Sequence, residues 1–477
     1  MNLFIFNKSL RCHDNTTLIH MAKMNMPVVP IFIFTEQVDR KVNEYFSDNS
    51  VEFMVESLKE LARDIADQKG KMYFFHHNDI ITVLQSIHTQ NKIASLGTNY
   101  DYSPYARQRQ DNFTKFCKDH NITFYIKEDH VLFNILEGKN NKADGTPYTV
   151  FTPFKNFVLR TQEVREPEKY NKFNFKIIKA LESNKYHIEE KHIDKFFIHN
   201  PNALIQGGRS HGLRILANME DFKEYGEQRD YFLYKTTYLA SHNHFGTVSI
   251  REVFHAMKNK LKRKSAGIIN ELIWRDFYYN LYYNFPHMLG KMIGGQNKAF
   301  KEKYNHINWN NNEALFQKWA TGTTGIPICD AGMRQLNKEG FMPNRLRMIT
   351  AGVLTKLFLI TWRKGEQHFA QKLKDYDSIQ NSAGWGWTVT GIDPQQVFRI
   401  FSPKLQGKKF DPKCEYVLKY VPELEGVPIK DIHDWENKYK THLANGVKYY
   451  PPAIEYKMAY RRAINELVRV HKLSSAK

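Results

Sequence analysis

The chain has few cysteines and no extended hydrophobic segment. Its four cysteines are scattered through 477 residues, without a CxxC pair or a His–Cys ligand spacing. This pattern argues against a disulfide framework or structural zinc and indicates a reduced, intracellular protein. The apolar runs at 27–34 and 351–361 are too short or too polar to span a bilayer. The N-terminus also lacks the long apolar region and small-residue cleavage site of a signal peptide.

A dinucleotide-binding fingerprint is missing as well. No GxGxxG follows the first predicted strand, so dinucleotide binding at the usual Rossmann position is not supported. Tryptophan is scarce, with seven residues, whereas 33 Phe and 26 Tyr raise the aromatic content to 14% and favour broad cores and stacking surfaces. A chain of this length that is 42% hydrophobic and 25% charged has room for two globular domains.

The net charge of +19 is unevenly distributed. Residues 1–200 contain 27 Lys and Arg against 25 Asp and Glu, whereas residues 201–477 contain 42 against 25. The basic excess of +17 in the second part suits binding along a polyanion. A solvated, lysine-rich surface explains the same numbers, so charge by itself does not choose between the two interpretations.

The first 130 residues alternate short apolar strands with helical patterns. The predicted strands are 3–6, 28–34, 71–75, 93–100 and 122–126. Helices are predicted at 16–23 and at 51–67, where apolar residues recur on one face. This alternation predicts an α/β domain with a doubly wound parallel sheet over residues 1–130.

The rest of the chain does not continue the alternation of strands and helices. Residues 131–200 are turn-rich and irregular, which predicts a long interdomain connector. Residues 201–477 have helical patterns without convincing strands, and this part is predicted to be an all-α domain. Its clearest helices are predicted at 268–283, 330–338, 345–361 and 456–470. The predicted fold class is therefore α/β plus all-α.

The most unusual segment is Lys374–Trp387. It contains Asp375, Asp377, Asn381, Trp385 and Trp387 within 13 residues, although tryptophan is scarce elsewhere. Acids and an amide hydrogen-bond to the polar edge of a heteroaromatic ring, whereas tryptophans stack on flat groups or carry electrons. This mixture suits a bound redox chromophore.

Two further segments combine polar and aromatic residues. Glu271, Trp274, Arg275 and Tyr278 share one face of a predicted helix. Their spacing alone favours a structural explanation, in which Glu271 pairs with Arg275 and Trp274 covers the core. The second segment is the start of a predicted helix. It contains Asn344, Arg345, Arg347 and Met348 within five residues.

Together these segments closely resemble the photolyase/cryptochrome family, and within it the class I cyclobutane pyrimidine dimer photolyases. Residues 10–15 resemble the first βα turn of that family and residues 150–156 its connector motif, while 398–403 and 406–411 resemble its closing segment. The resemblance covers most of the chain. It implies a C-terminal helical domain that binds FAD in a bent form, with the adenine folded over the isoalloxazine ring.

The resemblance also implies a set of FAD contacts. The matching residues are Tyr225, Thr236, Thr237, Leu239, Arg275, Arg347, Asp375, Asp377 and Asn381. Arg347 is expected to pair with Asp375, and Asn381 matches the position next to the flavin N5 atom. An amide there favours repair over signalling, because an aspartate would repel anionic reduced flavin. Tyr238 and Ala240 depart from the Arg and Ser of relatives, which removes part of the usual phosphate contacts.

The implied reaction is light-driven DNA repair, in which excited reduced FAD gives an electron to a flipped-out pyrimidine dimer and the cyclobutane ring splits. Asn381 is expected to act in catalysis together with Glu271 and Asn344, which match hydrogen-bond partners of the dimer, and Met348, an apolar contact. Trp274 and Trp387 match the aromatic walls of the lesion pocket. The residues expected to hold the DNA strand or lesion are Arg229, Arg345 and Gln406. The resemblance implies no metal ligands.

Trp385, Trp362 and Trp309 match, in order from flavin to surface, the chain of tryptophans that returns electrons to oxidised flavin. Each of them considered alone is more readily explained as a core aromatic residue. The antenna pigment stays open, since Tyr105 and Ala106 replace the Asn-Glu pair of bacterial folate-binding relatives. Folate, a deazaflavin or no antenna are the alternatives.

The main rival to repair is a cryptochrome-type photoreceptor without repair activity. Asn381, Met348 and the Trp274/Trp387 pair favour repair, and so does the end of the chain soon after the last predicted helix, without a long tail. Residues 343–349 contain no histidine, which argues against (6-4) repair. A plain basic DNA-binding module leaves the acids and tryptophans of 374–387 unexplained. The expected partner is dimer-containing DNA, and the expected state is a monomer away from membranes, in the cytoplasm, nucleoid or nucleus.

Overall fold

A six-stranded sheet forms the N-terminal half of the structure. The computed structural model describes residues 1–288, 304, 306–389 and 398–472. The strands lie in the order β5-β4-β1-β2-β3-β6, and only β6 is antiparallel to its neighbour. Their bounds are β1 Asn2–Phe6, β2 Val28–Phe34, β3 Tyr73–His76, β4 Ser95–Asn99, β5 Thr123–Lys127 and β6 His187–Ile188. The predicted doubly wound parallel sheet is confirmed.

Four helices cover the sheet, and a polar side chain caps the start of each. They are α1 Thr16–Lys23, α2 Asp48–Asp67, α3 Ile80–Gln90 and α4 Pro104–Asp119. The capping side chains of Asn15, Ser47, Asp79 and Ser103 accept hydrogen bonds from backbone N–H groups of the first turn. Every residue of β2 is buried, as expected for a central parallel strand covered on both faces.

The segment 131–200 is more than a connection. It contributes β6, which pairs with β3, and its Phe175 forms a backbone bridge with Val28. It also contributes helix α5, Phe151–Thr161, which packs against the long helix α10 described below. Neither element was predicted from the sequence. Strand β6 is difficult to predict because it has only two residues and its hydrogen-bond partner is β3.

Helices make up the described part of the chain after residue 200, where no strand occurs. The helices are α6 Arg209–Ala217, α7 Tyr225–Gln228, α8 Leu239–Phe245, α9 Ile250–Leu261, α10 Ala266–Asn284, α11 Glu313–Thr321, α12 Pro327–Glu339, α13 Asn344–Gly352, α14 Trp362–Lys372, α15 Ser378–Val389, α16 Pro403–Phe410, α17 Glu415–Tyr420, α18 Ile429–His433, α19 Trp435–Ala444 and α20 Tyr456–Lys472. In the ranges that the structure covers, no helix is both long and apolar enough to cross a membrane.

The helix predicted over 345–361 is present only as far as Leu357, and its last turn is not α-helical. The α-helical part, α13, ends at Gly352, and it is followed directly by a π-helical turn over Val353–Leu357. Leu359 then adopts a left-handed conformation with φ of 53°, which ends the helix before α14 begins. The sequence does not reveal this break, because residues 351–360 are apolar except for Thr355 and Lys356 and are buried on every side. A segment of this kind shows no helical period that an extra residue could disturb.

Four charged side chains buried between the sheet and the helices join the two halves. Arg251 on α9 donates through Nε to Asp14 at 2.6 Å and through Nη2 to Asp129 at 2.8 Å. Arg11 donates to Asp129 at 2.7 Å and to the carbonyl of Gly246 at 3.0 Å. All four side chains are almost fully excluded from solvent.

Burial disfavours the charged carboxylates, yet the neighbouring guanidinium groups hold the pKa of both Asp14 and Asp129 below the usual aspartate range. Since a lowered pKa favours the folded state above the unfolded-state pKa, this stabilisation is present at neutral pH. It is lost as the pH falls through the lowered values.

We expect Arg251→Leu to lower the free energy of unfolding by about 3–5 kcal/mol, because it removes the buried guanidinium that Asp14 and Asp129 share. Asp14 then keeps the more exposed Arg165 as an ion-pair partner, and Asp129 keeps Arg11. Denaturant titration measures the change.

The matched control is Lys115→Met, which breaks an exposed i,i+4 pair with Asp119 and should cost about 0.5 kcal/mol or less. Equal losses in the two variants would contradict a special role for the buried cluster.

Candidate active site

Helix α15 is the centre of the predicted site. It packs against α10, α13 and α14, so the segments that the sequence singled out converge around one helix. Before α15 begins, Asp375 accepts two hydrogen bonds from Arg347 Nη2, at 2.8 and 3.1 Å. The expected pair between these residues is therefore present. Arg347 also donates through Nε to the carbonyl of Met342 at 2.8 Å, which fixes the plane of its guanidinium group.

Asp377 caps the first turn of α15. Its Oδ1 accepts from the backbone N–H groups of Ile379 and Gln380 at 3.0 and 3.1 Å. Its Oδ2 accepts from the Tyr279 hydroxyl and lies 2.9 Å from His244 Nδ1. Burial opposes ionisation, but the Lys8 charge and these hydrogen bonds hold the pKa of Asp377 well below its usual range. Both oxygens of this predicted flavin contact are therefore used by the protein.

Asn381, on the same helix, is oriented by Glu366 of α14. Its Nδ2 donates to the backbone carbonyl and to Oε1 of Glu366, both at 3.0 Å. A backbone carbonyl only accepts hydrogen bonds, so the amino group of the amide must face Glu366. The Oδ1 atom of Asn381 then points away from Glu366 as an acceptor for another group.

Glu366 is a site residue that the sequence did not reveal. Burial raises the pKa of its carboxyl from 4.5 to about 7, against the opposing effect of hydrogen bonds from Tyr45 and Asn381. Tyr45 lies in the loop before α2, so the α/β half of the protein also contributes to this site. The only local signal was an acid at a core-facing position of α14, which a helical pattern does not distinguish from a surface acid.

Arg275 does not form the i,i+4 pair with Glu271 that its spacing favours. Its guanidinium instead donates to the carbonyl and Nε2 of His130, at 2.7 and 2.6 Å, and to the carbonyl of Asn243 at 3.3 Å. Burial raises the pKa of the adjacent Asp276 to about 7, although it accepts from the backbone N–H of Leu132 at 2.7 Å. This face of α10 thus holds the start of the connector.

The predicted phosphate-side loop leads into α8. Thr236 and Thr237 are half-buried, and Thr237 Oγ1 accepts from the backbone N–H of Leu239 at 3.4 Å. On α8, the buried Ser241 Oγ and Asn243 Oδ1 have no hydrogen-bond partner in the described part of the chain. Unpartnered buried polar atoms are rare in native proteins. Their presence next to two half-buried hydroxyls fits a polar ligand such as the phosphate and sugar groups of FAD.

The expected DNA-contacting arginines are both paired with acids. Arg229 forms an ion pair with Glu271, and burial raises the pKa of the Glu271 carboxyl despite the opposing Arg229 charge. The Arg229 guanidinium carbon lies 5.8 Å from the centroid of the Tyr225 ring, so this predicted FAD contact lies beside the Arg229–Glu271 pair. Arg345 Nε donates to Asp230 Oδ1 at 3.2 Å, a partner that the sequence did not single out.

The remaining lesion-side residues are accessible to different degrees. Asn344 is exposed at the start of α13, while Met348 and Trp387 are half-buried. Gln406 on α16 has a buried Oε1 atom without a partner in the ranges described. An acceptor of this kind fits a donor on a bound molecule.

The half-buried Trp274 lies flat against Phe151, a residue of the connector motif at 150–156 that was not among the predicted site residues. Its ring centroid is 3.6 Å from that of Phe151, and the two planes differ by 6°. Phe151 is the first residue of α5 and belongs to the connector. The motif at 150–156 was noticed in the sequence, but nothing in it indicated contact with Trp274.

The predicted electron-relay tryptophans share one hydrophobic core. Trp385 and Trp362 are buried there and Trp309 is half-buried. The rings in contact with Trp385 in the described ranges are Phe369, at a centroid distance of 5.0 Å, and Trp319, at 6.1 Å. Trp319 was absent from the predicted relay, because its position between ordinary core residues of α11 gave no signal.

The buried Glu366 predicts a pH-dependent stability. A carboxyl with a raised pKa stabilises the fold fully below 4.5 and loses this contribution as the pH rises through about 7. Between pH of about 5 and about 8, the parent should therefore lose roughly 2 kcal/mol more than Glu366→Gln in denaturant unfolding. The exposed Glu415 provides the control, as Glu415→Gln should follow the parent. A parallel pH dependence of parent and Glu366→Gln would refute the assignment.

Comparison with known proteins places both parts of the chain in one family. A model of the family described as DNA photolyase matches residues 2–171, and a model of the FAD binding domain of DNA photolyase matches residues 268–469. The deoxyribodipyrimidine photo-lyase of Buchnera aphidicola subsp. Baizongia pistaciae is 31% identical, over 96% of this chain and 95% of its own.

Solved structures agree over the whole fold. An archaeal photolyase from Sulfolobus tokodaii, crystallised with two FAD molecules, is 32% identical with a TM-score of 0.83 and covers 99% of this chain and 100% of its own. A class III photolyase from Agrobacterium tumefaciens is 28% identical with a TM-score of 0.86, covering 98% and 97%. With the site assembled around α15 and family matches across both halves, the chain belongs to the photolyase/cryptochrome family, and its helical part contains the FAD-binding domain of that family.

Proposed function

We propose that the protein repairs cyclobutane pyrimidine dimers in DNA in a light-dependent reaction, with the dimer flipped out of the duplex. Bound FAD in its reduced form would supply the excited-state electron that splits the cyclobutane ring. The proposal is supported by relatives that carry the name deoxyribodipyrimidine photo-lyase. The observation in this chain that carries it is the fixed orientation of the Asn381 amide.

Asn381 matches the position beside flavin N5, and its Nδ2 is held by two acceptor atoms of Glu366. The Oδ1 atom is therefore left as a neutral acceptor, suited to an N–H donor of reduced flavin. A carboxylate in this place would add a negative charge next to an anionic group and oppose the reduced form. The amide thus favours the electron-donating state that repair requires over the signalling alternative.

The arginines on the DNA side would exchange partners when DNA binds. Arg229 and Arg345 are paired with Glu271 and Asp230 in the protein alone. Phosphate oxygens form charge-assisted hydrogen bonds with guanidinium groups and compete for them. Glu271, whose carboxyl has a raised pKa, would then be released to hydrogen-bond the flipped bases.

The other lesion contacts follow from exposure and chemistry. Trp274 and Trp387 are proposed as the walls of the pocket, with Asn344 and Gln406 as polar contacts and Met348 as an apolar contact. Flipping nucleotides out of the duplex costs a few kcal/mol, and the cost is smallest for damaged bases that stack poorly. Contacts with these aromatic and polar groups recover this cost only when a flipped lesion occupies the pocket. The absence of histidine in 343–349 supports cyclobutane dimers over (6-4) lesions as the substrate.

The decisive experiment is a repair assay with controlled flavin oxidation state. The protein is purified in the dark, its flavin is chemically reduced, and it is illuminated with an oligonucleotide that carries one thymine dimer. We expect loss of the dimer in the light and no loss in the dark. If bound flavin is fully reduced and the dimer persists in the light, the repair proposal is wrong and the photoreceptor alternative gains support.

A separate prediction concerns the electron relay, for which we propose Trp385, Trp362 and Trp309 in this order. Trp385→Phe should slow photoreduction of oxidised bound flavin by about tenfold or more, because phenylalanine is far harder to oxidise than tryptophan and electron transfer proceeds in barrier-limited steps. Absorbance under continuous illumination with a thiol reductant measures the rate. Trp435→Phe, which changes a buried tryptophan of the same core, should keep the parental rate. An unchanged rate in Trp385→Phe would exclude this residue from the relay.

A further inference from the structure

The closest aromatic contact at the proposed lesion pocket comes from the connector. The Phe151 and Trp274 rings are almost parallel, at 6°, with their centroids 3.6 Å apart. Aromatic pairs in proteins usually have centroid distances of about 4.5–7 Å in offset or edge-to-face arrangements. The short distance and small angle place one ring directly over the other, so that Phe151 covers one face of Trp274.

The other ring neighbours of Trp274 hold it less directly. Phe277 meets it edge-on at 5.8 Å, and Tyr278 is tilted at 5.5 Å. Both belong to α10, the helix that carries Trp274, whereas Phe151 belongs to α5. Phe151 is only 5% exposed, and Lys155 Nζ lies 5.9 Å from its ring centroid. The orientation of the indole is thus determined by a buried ring on another helix.

We propose that Phe151 is a positioning residue for DNA-lesion recognition, holding the Trp274 ring in the orientation that contacts the flipped dimer. The inference rests on the proposed function, which makes Trp274 a wall of the lesion pocket. An aromatic wall that is already fixed loses little side-chain entropy on binding, whereas a mobile indole must be ordered by the ligand. Removing the ring beneath Trp274 therefore weakens binding of the dimer more than binding of undamaged DNA.

The chain provides a matched control on the same helix. Phe154 is as deeply buried as Phe151, but its ring contacts Phe277 at 5.5 Å and not Trp274. Phe154→Leu and Phe151→Leu each replace one buried aromatic residue of α5 by the same smaller side chain. A purely structural role for Phe151 predicts that the two variants behave alike.

The test measures DNA binding in the dark, independently of repair. Affinities are determined for two oligonucleotides of one sequence, with and without a single thymine dimer, at one salt concentration. We expect Phe151→Leu to lower the preference for the dimer by on the order of tenfold, with affinity for undamaged DNA unchanged. Phe154→Leu should keep the parental preference, and Phe151→Tyr should restore it because tyrosine retains the flat ring.

Two additions make the result decisive. The two leucine variants should show similar decreases in melting temperature. A lost preference for the dimer then cannot be attributed to lost stability. In a Trp274→Ala background, Phe151→Leu should cause no further loss of preference, since both changes act through one ring. An equal loss in Phe154→Leu, or a full additional loss in the Trp274→Ala background, would overturn the positioning role. A parent without any preference for the dimer would overturn the proposed function together with this inference.

Discussion

Two buried carboxylates at the junction of the sheet and the helices, Asp14 and Asp129, keep their charge because Arg11 and Arg251 lie against them. Removing such charges from water costs several kcal/mol per ion, and only close opposite charges with saturated hydrogen bonds offset that cost. The two halves must therefore meet in one arrangement. This arrangement brings the loop before α2 to α14 and the connector to α10, so the site depends on a contact that contains none of its own residues.

Helix α15 carries the central residues of the predicted site within that fixed arrangement. Its start is anchored by Asp377, which is bonded to the helix backbone and to Tyr279. One turn later Asn381 faces α14, where Glu366 sets the direction of its amide. Several polar groups around this helix are therefore already committed to the protein. Elsewhere in the helical part, the buried atoms Asn243 Oδ1 and Gln406 Oε1 have no partner among the described residues, and a ligand could complete their hydrogen bonding.

The elements of the fold followed from local patterns where the pattern was regular. Helix α1 has its predicted bounds, and β2 coincides with the apolar run at 28–34. The π-helical turn at Val353–Leu357 and the two-residue β6 did not follow. The hydrogen bonds of β6 come from β3, which is distant in sequence. The π-helical turn lies in a buried and mostly apolar segment, 351–360, in which no helical period is visible.

The sequence by itself determined the two-part architecture, the cluster of acids, amide and tryptophans at 374–387, and the family resemblance, because these reside in residue order and periodicity. It also suggested the pairing of Arg347 with Asp375. Only the tertiary structure decided that Glu271 pairs with Arg229, that Glu366 orients Asn381, and that Phe151 covers Trp274. These contacts join residues from 15 to 123 positions apart. The burial of these side chains and the distances between them are set only when the helices pack against one another.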